Sequence, residues 1–150
     1  MMRLVASIFA LTLAVCAGPT TAQQSAWPDL DRLLFSTLTA SSTAEASFWL
    51  PDQANPATAT RALGIVYEYI PGSAGSTSIA VGVYQRTTAG WGFVGSVEGL
   101  FGQSPRDAEF GPTHVDLTTI MLGPNEPRCC PTLPVRWRIS LASRTAQRLN

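Results

Sequence analysis

Apolar and polar residues alternate most cleanly near the C-terminus, where Val135, Trp137, Ile139 and Leu141 are interleaved with Arg136, Arg138 and Ser140. Side chains two apart share one face of a pleated strand, so 133–142 is expected to be a strand with one dry and one wet face. The same period runs through 114–122, with Val115, Leu117, Thr119 and Met121 set against His114, Asp116, Thr118 and Ile120. Three further strands are expected at 62–70, 78–87 and 90–98, the last with Trp91, Phe93 and Val97 on one face. Pro71-Gly72-Ser73-Ala74-Gly75 joins the first two as an antiparallel pair, and Thr88-Ala89-Gly90 makes the next connection a hairpin.

A different spacing marks 27–38. Leu30, Leu33, Leu34 and Leu38 fall on one helical face, Pro28 suits a first turn, and Asp29 and Asp31 complement a helix N-terminus. Between Ser36 and Arg61 the chain is rich in Ser, Thr, Ala and Pro and reads as a long surface connection, with Phe48 and Trp49 as core plugs. The run from Gly99 to Pro112 reads as a longer crossover, and 145–150 as an edge strand or a fraying tail. The expected fold is α+β: a single antiparallel sheet of about five strands packed with a short N-terminal helix. Residues 23–60 would supply the helix and connection, and 61–150 the β domain.

The first 22 residues change where this domain is expected to work. Arg3, an apolar run from Leu4 to Ala17, and small residues at Thr20 and Ala22 have the form of an export signal cleaved before Gln23. That run is shorter than the ~20 residues a membrane-spanning helix requires, so no membrane span is expected in the mature form. Cys16 raises lipid anchoring as another route, against which stands the bulky Val15 before it. A periplasmic or secreted location follows. The chain has 150 residues, 45% of them hydrophobic and 13% charged, enough for one domain with its own core.

Charge balances overall, with ten arginines, no lysine and ten acids, which argues against a nucleic-acid partner. It does not balance locally. Arg128, Arg136, Arg138, Arg144 and Arg148 fall in a stretch without acids, while Glu98, Asp107, Glu109 and Asp116 precede it. Pairing between these groups on neighbouring strands is expected to select register, since each such pair contributes only ~0.2–1 kcal/mol.

Cys129 and Cys130 are the residues of greatest chemical interest. Four prolines (124, 127, 131 and 134) bracket them in the connection between the last two strands, and an exported protein meets an oxidising compartment. Adjacent Cα atoms lie about 3.8 Å apart, below the ~4.4–6.8 Å usual for a disulfide, so a Cys129–Cys130 bridge would be strained and easily reduced. A local structural bridge, free thiols, partner disulfides, metal capture and redox work all remain open. Two thiols supply only half of a tetrahedral zinc site, and no Cys-x-x-Cys pair or His cluster completes it.

Catalytic constellations are sparse. His114 is the only histidine, and neither a Gly-x-Ser-x-Gly elbow nor a His-Glu-x-x-His pair occurs. A dyad of His114 with Cys129 or Cys130 would be blocked by a vicinal bridge. Asp107, Glu109 and Asp116 read as a solvated edge rather than an acid and base pair. Gly72-Ser73-Ala74-Gly75-Ser76 lacks the Lys and helix start of a phosphate loop. Alternation also puts Trp137 on the face opposite Arg136 and Arg138, so the three would not grip one nucleic-acid base.

The stretch from Trp91 to Ile139, above all Leu122-Gly123-Pro124-Asn125-Glu126-Pro127-Arg128-Cys129-Cys130-Pro131-Thr132, resembles a signature of uncharacterised exported bacterial proteins, some of them lipoproteins. Those proteins also end in a strand after the Cys-Cys-Pro turn. The likeness covers roughly the last third to half of the mature chain and implies export without an assigned activity, substrate or catalytic residue. The expected function is therefore a non-enzymatic binding or structural module of the cell envelope, with no catalytic, metal or cofactor residues. Its partner would be an envelope protein or ligand. The alternative is a thiol-disulfide or metal-responsive protein built on Cys129 and Cys130.

Overall fold

The computed structural model describes residues 26–39 and 44–149. The expected export signal, Cys16 and the cleavage point before Gln23 lie outside them. Helix α1 (Leu30–Leu38) is followed by β1 (Ala44–Pro51), β2 (Arg61–Tyr69), β3 (Thr77–Thr87) and β4 (Gly90–Val97). Strands β5 (Gln103–Phe110), β6 (His114–Met121), β7 (Leu133–Ser140) and β8 (Ala146–Arg148) complete the chain. No helix among the described residues is long and apolar enough to cross a membrane.

The strands form two four-stranded antiparallel sheets, β1-β2-β3-β4 and β5-β6-β7-β8, each running in chain order. This corrects the expectation of a single sheet of about five strands. Leu63, Ile65 and Tyr67 of β2, Val81 and Val83 of β3 and Val97 of β4 meet Val115, Leu117, Val135, Trp137 and Ile139 of the second sheet in one buried core. The dry faces of β6 and β7 are the ones the alternation marks, but they are covered by another sheet. Alternation reports that a face is buried; it is silent about what buries it.

The helix covers the outer face of the first sheet. Asp29 caps it, its carboxylate accepting from the Arg32 amide at 3.1 Å, and Leu34 is buried with Ala62, Val66 and Tyr84. Gly64 and Gly82, cross-strand partners in β2 and β3, make this close approach possible. A Cβ on Gly64 would lie 2.2 Å from Leu34 Cδ2, and one on Gly82 2.8 Å from Leu38 Cδ2. Residues Ala62 to Tyr67 are therefore buried on both faces, by helix on one side and by sheet on the other.

Two segments assigned to connections contain strands. The 36–61 stretch holds β1, where Phe48 packs edge-on against Tyr67 at 5.9 Å and Trp49 packs against Tyr84 at 5.2 Å, as expected of core plugs. The 99–112 stretch holds β5, an edge strand interrupted by two register shifts against β6 and by left-handed backbone at Ser104 (φ 49°) and Asp107 (φ 55°). Such irregularity hides the period of two and protects the sheet edge from further pairing.

The shared face expected for Trp91, Phe93 and Val97 is also corrected. Register shifts between Val83 and Tyr84, which pair with Gly95 and Phe93, leaving Val94 as the extra residue. Past this bulge the phase reverses, so Phe93 contacts Tyr84 on the helix side at 5.5 Å while Val97 joins the core between the sheets. Beyond it Glu98 stitches the sheets together: its amide donates to the Arg144 carbonyl at 2.9 Å and its carbonyl accepts from the Ala146 amide at 2.8 Å.

On the wet face of the second sheet, Asp116 and Arg138 are direct register partners joined by two hydrogen bonds of 2.8 and 2.7 Å. Arg136 reaches Glu109 at 2.7 Å. These two pairs match the expected attraction between the acids and the C-terminal arginines, whereas Asp107 meets Arg106 at 3.4 Å. Pairs that water reaches from at least one side, as it does through Arg138 and Arg136, contribute up to ~1 kcal/mol, against ~1.5–3 kcal/mol for a fully buried aliphatic side chain, so the core holds the sheets and the charges fix their register.

Candidate functional site

The loop between β6 and β7 carries Cys129 and Cys130, both exposed thiols, and its shape is set by Glu126. One carboxylate oxygen of Glu126 accepts from the Gly123 amide at 2.8 Å and the Thr132 amide at 2.9 Å, and the other from the Thr132 hydroxyl. These bonds favour the charged carboxylate and hold its pKa below the ordinary glutamate value. Inside the clamp the Cys130 amide donates to the Pro127 carbonyl at 3.1 Å. Gly123, Glu126 and Thr132 thus form one hydrogen-bonded unit that presents the cysteines. In the sequence Glu126 stands out only as part of the Cys-Cys segment, with no role of its own; the signal available was an acid three residues after Gly123 and six before Thr132.

At the same end of the sandwich, the connection from β4 to β5 crosses over the core. Leu100 plugs it, 3% exposed, while the Tyr67 hydroxyl donates to the Gly102 carbonyl and the Thr119 hydroxyl to the Phe101 carbonyl, each at 2.8 Å. Burial pushes the Tyr67 phenol up to about 12, so it remains a donor across the physiological range. Gly102 takes φ +98°, and a Cβ there would lie 2.4 Å from Thr119 Oγ1, which explains glycine at this position.

Between these anchored loops lies an open cleft of about 950 Å³. One wall is the 74–77 part of the β2–β3 turn; the other is Leu122, Arg128 and Cys129, with Gln103 completing the lining. The turn is ordered by the Ile70 amide donating to the Ser76 carbonyl at 2.9 Å. A smaller cavity of about 190 Å³, with Phe48 and Tyr67 in its lining, shares Thr77 and Gln103 with the cleft. Leu122 and Phe101 stand 45% and 57% exposed, so apolar surface flanks a cleft whose one charged lining residue is Arg128.

The other candidate groups lie elsewhere. His114 begins β6 and the Cys-Cys loop follows its end, so a His114 dyad with either cysteine is separated by roughly 24 Å of extended strand. His114 Nε2 lies 4.0 Å from Asp116 Oδ1, but Arg138 occupies both carboxylate oxygens of Asp116. Glu109 and Asp116 face each other in register, yet each is engaged by its own arginine. Trp137 points into the core while Arg136 and Arg138 face outward, as the alternation requires. Among the described residues, no group of three His, Cys, Asp or Glu side chains is arranged to hold a metal ion.

The fold and the site together define a two-sheet antiparallel sandwich with a cleft at one end. No protein-family model, curated protein or solved structure matches the chain.

Proposed function

We propose that the protein is an exported, non-enzymatic binding module of the cell envelope, and that its ligand or protein partner occupies the cleft between the 74–77 turn and the Cys-Cys loop. The observation that carries this reading is the construction of that cleft. Loops from both sheets form it; Glu126 holds the Cys-Cys loop, the Ile70–Ser76 bond the 74–77 turn, and Tyr67 and Thr119 the crossover that leads to Gln103. Loops fixed on a rigid sheet scaffold are the common location of binding surfaces. The leader-like first 22 residues and the signature around Cys129 support export. Leu122 offers an apolar contact and Arg128 an anion contact, so a segment carrying both kinds of group complements the cleft.

A photo-crosslinking residue at Gln103, inside the cleft, is compared in cells with one at Ala89, on an exposed turn at the far end. One discrete adduct at 103, absent at 89, is the expected result. Equal labelling at both positions, or none at 103, overturns the reading. Intact mass of the purified protein is expected to begin at Gln23; an uncleaved chain recovered from the cytosol overturns export.

A further inference from the structure

We propose that Cys129 and Cys130 form a dithiol–disulfide exchange site, in which Cys129 on the cleft wall meets an incoming anionic thiol and Cys130 is the sulfur released. Placement distinguishes the two residues. Cys129 lines the cleft beside Arg128, the one charged lining residue, whereas Cys130 is exposed but outside the lining. The two cysteines are neighbours in the chain and both are exposed as free thiols, so a bond between them closes over a single peptide unit. Arg128 favours a thiol compound bearing negative charge.

The loop does not depend on an S–S bond for its shape, because Glu126 ties it to Gly123 and Thr132. Either redox state can therefore be carried on one scaffold. Closing adjacent residues constrains almost no chain and strains the bridge, which makes the closed pair the more oxidising one.

With the pair closed, the thiolate of an acidic thiol attacks Cys129 Sγ. The Cys129–Cys130 bond breaks, and Cys130 leaves as a thiolate and takes up a proton. A second thiolate of the same class then attacks the incoming compound's sulfur in the mixed disulfide. Cys129 is released and protonated. Two external thiols become one disulfide, and two electrons and two protons end on the cysteine pair. The exchange uses the wall of the proposed binding cleft but not its occupant, so crosslinking at Gln103 and exchange at Cys129 succeed or fail separately.

The test equilibrates the mature protein in glutathione buffers of graded ratio, quenches it by alkylation and reads intact mass. The pair is expected to interconvert between two alkylated thiols and one disulfide; a pair that stays open, or stays closed, across the whole range overturns the proposal. Single variants then assign the roles. Cys130→Ser is expected to form its adduct with oxidised glutathione about tenfold faster than Cys129→Ser, and Arg128→Gln added to Cys130→Ser is expected to remove most of that advantage. With the uncharged 2-hydroxyethyl disulfide, the Arg128 change is expected to have little effect. Equal adduct rates for the two single variants overturn the assignment. Cys129→Ala and Cys130→Ala, with thermal unfolding midpoints matching the native chain, replace any serine variant that fails to fold.

Discussion

Trp137 donates its indole N–H to the Thr119 hydroxyl at 2.8 Å inside the core between the sheets, and Thr119 passes its own hydroxyl hydrogen to the Phe101 carbonyl at 2.8 Å. Thr119 is fully buried, so its bond from Trp137 is shielded from water and its bond to Phe101 is shielded at the Thr119 end. The relay connects the second sheet to the crossover that roofs the core, and that crossover leads into the cleft residue Gln103.

Thr119→Val tests the relay. It keeps the shape but leaves the Trp137 N–H and the Phe101 carbonyl without partners, and is expected to cost about 1–3 kcal/mol in urea unfolding. Thr119→Ser, which keeps the hydroxyl and loses a methyl, is expected to cost about 1 kcal/mol. Adding Trp137→Phe to Thr119→Val is expected to cost less than the sum of the two changes, because the two residues share one bond.

The floor beneath the helix provides the second test. In Gly64→Ala the new Cβ would lie 2.2 Å from Leu34 Cδ2 and 2.6 Å from a Tyr84 ring carbon. The expected cost is about 1–3 kcal/mol, the range for overfilling a packed site. Near-ultraviolet circular dichroism, reporting Tyr84 and the adjoining Trp49, is expected to change with it.

Stability is expected to fall in acid through Asp116. Its two hydrogen bonds from Arg138 hold the carboxyl below its usual value, against the opposing effect of burial. A depressed folded pKa contributes stability that is fully present above the unfolded aspartate value and is lost as pH falls through the folded one. Asp116→Asn is expected to cost about 1 kcal/mol at pH 7, because Arg138 is half exposed and water weakens the pair. The gap between native and variant is expected to narrow as pH falls below the ordinary aspartate value and to close once the folded carboxyl is protonated, as measured by thermal unfolding across pH.

Protonation of Glu126 is expected to loosen the Cys-Cys loop without unfolding the sandwich. The amide resonances of Gly123 and Thr132 are expected to titrate together, with a midpoint below the ordinary glutamate value. Glu126→Ala is expected to abolish that titration and to speed proteolysis within 123–132, leaving the thermal midpoint of the whole domain nearly unchanged.

Much of the local structure is legible in the residues. Leu30 to Leu38 carry a helix and its Asp29 cap, and Gly72 and Gly75 carry the left-handed positions of the β2–β3 turn. The candidate site is legible only in part. Cys129, Cys130 and the proline-rich loop are visible as a local cluster, but the cleft is not, because its opposite wall comes from the 74–77 turn and Gln103. These segments are distant along the chain and meet only when the sheets face each other.

Side-chain chemistry and period alone determined the faces of β6 and β7, the presence of a helix, the β2–β3–β4 hairpins and the position of the thiols. Tertiary structure decided that there are two sheets, that β2 is buried on both sides, and that β5 forms through two bulges. It also decided that Val94 reverses the phase of β4. The physical reason is that a run of residues encodes which of its faces avoids water, whereas the surface that covers that face is chosen by packing between segments far apart in the chain.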